Sequence, residues 1–174
     1  MAIYEGANID KKYTDLPRTH LNPGEYGGYP HFFQALIDFT TDHDDGDQVL
    51  VMELPSNFVV TQLLIRSDGA NSAGVLDLGV YSHNGKEGGT WTLTEPVSGN
   101  QDHFGAAVAI ATALTDWTDI TLDGDHTLAD CFVPLWQAIG LSEDPGGTLM
   151  LVAEIETADI DVAAKVGFLV RGFR

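Results

Sequence analysis

The chain has 174 residues with one cysteine, and its 8 Lys plus Arg against 26 Asp plus Glu give a formal net charge of −18 at neutral pH. A chain of this length buries one core without help from disulfides, and 44% hydrophobic residues are too many for a disordered protein. So large a negative charge repels phosphate backbones and anionic head groups, which excludes nucleic acid and membrane surfaces as natural partners.

Cys131 is the lone thiol, so no intrachain disulfide or thiolate cluster is available, and a small buried hydrophobe is the expectation. The opening MAIYEGANIDKKYTDL has no apolar run of the signal-peptide kind, and no segment approaches the ~20 apolar residues of a membrane span. Synthesis in a cytoplasm is therefore expected.

Residues 1–31 are polar and broken by Pro17, Pro23, Gly24, Gly27, Gly28 and Pro30, which disfavour long helices and central strands. This stretch reads as an extended N-terminal arm. Its Tyr4, Tyr13, Tyr26 and Tyr29 are the candidate partner-binding residues, because tyrosine anchors well on a partner surface; a flexible leader is the plain alternative.

Residues 32–174 read as one β-sandwich domain, with short runs of Val, Ile, Leu, Phe and Thr separated by Gly, Asp, Asn and Pro clusters. FFQALIDF leads to the acidic loop TTDHDDGD, and QVLVMEL stops at Pro55. FVVTQLLIRS is apolar on both faces over its middle, the mark of a central strand. VLDLGVYS has one dry face and one mixed face, and HNGKEGGTWTL carries the Asn-Gly and Gly-Gly signals of a hairpin. GAAVAIATAL fits a short helix or a buried strand equally well. WTDITL reads as a strand ending at Asp123-Gly124-Asp125, and PLWQAIGL as a helix with Pro134 in its first turn and Gly140 at its exit. TLMLVAEIET and AAKVGFLVRGF are expected to close the chain as an antiparallel pair. About eight strands imply a mainly β, antiparallel sandwich of jelly-roll type with one or two short helices.

The acidic loop of Asp42, Asp44, Asp45 and Asp47 beside His43 is the most conspicuous cluster, since hard cations favour several oxygens in a short loop. It fails the EF-hand pattern: with Gly46 in the glycine position, Thr41 and His43 fall where carboxylates are needed, and Met52 where the bidentate Glu belongs. A solvated loop capping a strand end is favoured over a weak calcium site. Asp119, Asp123, Asp125 and His126 are weighed the same way. The six histidines are scattered singly without zinc spacing, so no metal is expected to be needed for folding. There is no nucleophile elbow and no phosphate loop, and Glu154 and Glu156 fit the alternation of a solvated sheet face better than a glycosidase pair. No catalytic residue and no cofactor are expected. Trp91, Trp117 and Trp136 are read as core in preference to a carbohydrate groove.

Two stretches carry a family likeness: PLWQAIGLSEDPGGTLMLVAEI at residues 134–155, and VLDLGVYS at 75–82 followed by HFGAAVAIATAL. Together they resemble a group of small tailed-bacteriophage virion proteins encoded among head genes and described as structural, head decoration or cement proteins. The likeness spans residues 58–174, and its most specific part is Trp136 to Gly147, a Leu-Trp-Gln helix followed by an Asp-Pro-Gly-Gly turn and a strand. The arm has no counterpart in it. The resemblance implies a β-sandwich subunit on the outer capsid surface of the virion, bound to the major capsid protein, often as a homotrimer, with no catalytic group. A carbohydrate- or receptor-binding sandwich of a phage tail or fibre is the alternative, and a hydrolase with a degenerate site is a third class.

Overall fold

The structure, a computed structural model, describes residues 3–5, 30–39, 43–68, 74–87, 90–94, 99–111, 113–156, 160 and 164–174. Ten strands among the described residues form two sheets packed face to face. In one sheet β1 (Ile3–Glu5), β3 (Gln48–Pro55), β9 (Thr148–Glu156), β5 (Val75–Glu87) and β6 (Thr90–Thr94) lie side by side in that order, and β7 (Gly105–Ala109) also pairs with β5. The other sheet has the order β2 (His31–Asp38), β10 (Lys165–Phe173), β4 (Val59–Ser67) and β8 (Leu114–Asp119). Every pairing is antiparallel except that of β1 with β3, which is parallel. From β2 to β5 consecutive strands alternate between the sheets, and β8, β9 and β10 do so again. This is the double Greek key of a jelly roll.

The apolar residues explain the layers. Val49, Val51 and Leu54 of β3, Leu149, Leu151 and Ile155 of β9, and Leu76, Leu78 and Val80 of β5 face Ile37 of β2, Val60, Leu63 and Ile65 of β4, and Val166, Phe168 and Val170 of β10. A second buried cluster, Leu50, Tyr81, Trp91, Met150 and Val152, belongs to the six-stranded sheet alone. Along β9 these two sets alternate, so Leu149 to Ala153 are buried without a break. β10 alternates strictly, with Val166, Phe168 and Val170 inward and Lys165, Arg171 and Phe173 outward.

That contrast corrects the expectation that the last two runs pair with each other. β9 sits between β3 and β5, and β10 sits between β2 and β4 in the opposite sheet. A strand dry on both faces and a strand wet on one face need different surroundings, which a shared hairpin would not provide. The strand read in WTDITL also shifts. β8 starts at Leu114 and stops at Asp119, whose carboxylate accepts the Thr121 N–H at 3.0 Å and hydroxyl at 2.5 Å and so turns the chain. GAAVAIATAL resolves as a strand, β7, with Ala107 at φ +54 and its N–H donated to the Asp77 carboxylate at 2.7 Å, where the β5 register shifts.

The helix expected in PLWQAIGL is one turn, α1 (Leu135–Ala138), preceded by Pro134 and followed by Gly140 at φ +83. Its first N–H groups are satisfied by the turn between β3 and β4: Leu135 donates to the Phe58 carbonyl at 2.8 Å and Trp136 to that of Ser56 at 3.0 Å. Leu135 and Ile139 then enter the core.

Gly172 sits at a bulge in β10, and a Cβ there would lie 1.9 Å from the Val59 carbonyl oxygen and 2.6 Å from the Phe58 ring. The carbonyl is backbone and cannot swing away. We expect Gly172→Ala to cost about 2 kcal/mol in urea unfolding; an unchanged midpoint would show that β10 re-registers freely.

Candidate docking surfaces

Three features stand out on the surface: the outer face of the four-stranded sheet, an apolar loop at the end of β8, and the acidic loop before β3.

On the four-stranded sheet, Phe32, Gln34, Leu36 and Asp38 of β2 point outward. Cross-strand register aligns Leu36 with Gly167 and Arg66, and Phe32 with Arg171 and Gln62. Gly167 has no side chain, and the Trp117 indole reaches over it from β8, 3.4 Å from where a Cβ would stand. A groove of about 520 Å³ results, lined by Leu36, Trp117 and Gly167 with Arg66, Thr115 and Lys165 around it. Trp117 is 37% exposed there, which corrects its reading as core; Trp91 is buried as expected. The face also carries cations. Lys165 pairs with Asp38, Arg171 donates to Gln62 at 3.0 Å, and its guanidinium lies 5.7 Å from the Phe32 ring centroid. Burial pushes the Asp119 carboxyl up, but the hydrogen bonds from Thr121 and Gln62 and the Arg171 charge outweigh it and hold it below the usual range.

The loop after β8 exposes Leu122 at 52%, Leu128 at 67% and Phe132 at 73%, yet its backbone is pinned. Leu63 donates its N–H to the Thr121 hydroxyl at 2.8 Å, and Asp123 bridges to Gly105. The Asp130 carboxylate, at the start of a 3-10 turn, Asp130–Phe132, holds the preceding chain by accepting from the Thr127 N–H at 2.8 Å and its hydroxyl at 2.6 Å. Beneath lies a buried pair that sequence spacing did not reveal: His126 Nδ1 and His103 Nε2 are 3.0 Å apart, and the His126 backbone N–H donates to the His103 carbonyl at 2.6 Å. Burial, then the neighbouring His126, lowers His103 to about 4, and burial lowers His126 as well. Both are neutral at pH 7, one ring donating to the other.

Cys131 Sγ is 3.6 Å from His126 Nε2, and the thiol points to the Thr127 carbonyl at 3.7 Å. Burial and the charges of Asp130 and Asp119 push that thiol up, the reverse of what a nucleophilic thiolate requires. The group acts as a clamp between the loop and residues 103–104.

In the acidic loop Asp44 and Asp45 are exposed, whereas His43 and Asp47 are buried 3.8 Å from each other, and Asp42 lies outside the described residues. Of the second acidic group, Asp123 and Asp125 are exposed on the apolar loop. Among the described residues no three His, Cys, Asp or Glu side chains are arranged to hold a metal ion. Glu154 accepts from Gln48 at 2.8 Å and Tyr81 at 3.2 Å, tying three strands together, while Glu156 is raised mainly by Asp77. Of the arm tyrosines, Tyr4 lies in β1, opposite Val49 of β3, and Tyr13, Tyr26 and Tyr29 lie outside the described residues. No described helix is long and apolar enough to cross a membrane.

No protein-family model matches the chain, and no curated protein matches it. Among solved structures, a chain from the capsid of Ralstonia phage GP4 has a similar fold, with a TM-score of 0.63 at 13% identity, covering 99% of this chain and 98% of that one. The likeness extends over nearly all of both chains.

Proposed function

We propose that the chain is a bacteriophage virion structural protein, a decoration or cement protein that sits on the head shell and stabilises it. The observation that carries this is the end-to-end fold likeness to a chain of a phage capsid. Its role is binding: the buried polar clusters tie the fold together, and the exposed features are apolar side chains on stiff supports. The partners are the major capsid protein and further copies of this chain, in a homotrimer. Residues 1–31 serve as an arm, with Tyr13, Tyr26 and Tyr29 as anchors beyond the β1 strand.

The proposal predicts that mass spectrometry of purified virions finds the chain at a fixed copy number, and that it stays with heads when tails are removed. Recovery only with tails would sink it. A second reading, a glycan- or receptor-binding sandwich of a tail or fibre, draws on the Trp117 indole spread across Gly167, a surface on which a sugar ring can stack. A rise in Tm with a neutral oligosaccharide would favour that reading.

A further inference from the structure

We infer that two of the surfaces above fit each other between copies: the apolar loop of one copy seats in the sheet groove of the next, and the repeated contact closes a ring. Two complementarities support this. The loop offers Leu122, Leu128 and Phe132 on a pinned backbone, and the groove offers Leu36 and Trp117 around the gap left by Gly167. Apolar side chains this exposed on a stiff loop mark an interaction site, and a concave apolar strip is a fitting receptor.

Charge points the same way. Residues 32–174 contain five basic residues, and four of them, Arg66, Lys165, Arg171 and Arg174, lie on β4 and β10 or directly after β10. Residues 100–150 contain none, and the loop carries Asp123, Asp125 and Asp130. Copies of so acidic a protein repel one another in most orientations. Setting the loop with Asp123, Asp125 and Asp130 against the next copy's sheet face, where Arg66, Lys165 and Arg171 stand beside Asp38, Asp68 and Asp119, is the orientation that lowers this repulsion. Because loop and groove are different patches, the contact is head-to-tail, and such contacts make closed rings or open filaments, not two-fold dimers.

This inference deepens the proposed homotrimer, and its test uses purified chain without particles, so it fails independently of the decoration reading. Two variants are compared with the native chain by light scattering at about 50 µM, where a micromolar contact is filled. Leu128→Ser with Phe132→Ser removes the loop side chains, and Trp117→Thr removes the groove wall; both sites are exposed, and Tm confirms that each variant folds. The native chain is expected to form one discrete ring and each variant to be monomeric. An equal mixture of the two should form a one-to-one dimer, because one copy keeps its loop and the other its groove. A monomeric native chain, rings in either variant, or a mixture that stays monomeric each overturns the inference. If the native chain is monomeric and dextran quenches tryptophan fluorescence in it but not in Trp117→Thr, the groove is a glycan site instead.

Discussion

Deletion of residues 1–30 should leave a folded jelly roll that no longer stays on phage heads. Among the described residues the sheets draw little on the arm: β2 to β10 contain every antiparallel pairing, and β1 adds three residues at the edge of β3. Losing them costs stability without removing a core layer. Each tyrosine buried on a partner contributes on the order of 1 to 2 kcal/mol, so one arm holds weakly while several arms around an axis hold firmly. Because the deletion also bares the β3 edge, a second variant with Tyr13→Ala, Tyr26→Ala and Tyr29→Ala keeps β1 and removes only the proposed anchors. Head occupancy, read by gel densitometry after sedimentation, should fall at least tenfold in both, with the circular dichroism spectrum preserved. Full occupancy of the triple variant would assign retention to the body alone.

Acid should weaken the fold well before the carboxylates titrate. Well above pH 7 His103 is neutral in both folded and unfolded chains and contributes nothing to pH dependence. Below the ordinary value of 6.5 the unfolded chain takes up a proton that the folded protein refuses until about 4, so stability falls as pH drops through that window. The gap corresponds to about 3 kcal/mol at its full extent, and His126, displaced in the same direction, adds to it. Asp119 and Asp130 are held below the usual carboxylate value, so the stability they confer is lost only at lower pH. Approaching the isoelectric point near 4.2 relieves self-repulsion and acts the other way, so the native chain alone does not isolate the histidines. His103→Gln keeps a side-chain donor for His126 and removes the titration. The difference in urea midpoint between native and variant should change sharply between pH 6.5 and 4.5. A constant difference would mean that His103 takes up its proton in the folded state without cost.

The sandwich class was legible because strand formation here is governed by short-range rules. Runs such as QVLVMEL and FVVTQLLIRS, stopped by Pro55 or broken by turn residues, became β3 and β4 almost residue for residue. The hairpin signal in HNGKEGG was also sound, although β5 runs on through Asn84 and Gly85, where the register shifts, before β6 begins. Partner choice was not legible, because it depends on the sheet to which a strand is delivered. β9 and β10 look like neighbours in sequence and lie in different layers. The burial patterns that separate them, continuous in one and alternating in the other, were present in the residues. Trp117 was misjudged because its own ring weighed more than its setting, a strand of Thr115, Asp116, Thr118 and Asp119. The His103–His126 pair had no signal at all: their sequence separation of 23 follows no ligand or helix spacing, and only the return of the chain after β8 joins them.

The position of β10 has a consequence for when the protein becomes competent. It lies between β2 and β4, and its pairing with β2 closes spans that are 127 positions at their shortest, from Asp38 to Lys165, yet it is synthesised after every other described strand. Until it emerges from the ribosome, β2 has no partner in its sheet, and the face carrying Phe32, Leu36, Lys165 and Arg171 does not exist. Pairings this distant in sequence are slow to form, in the millisecond-to-second range typical of sandwiches. A nascent chain therefore cannot present that face to any partner until β10 has been made and paired.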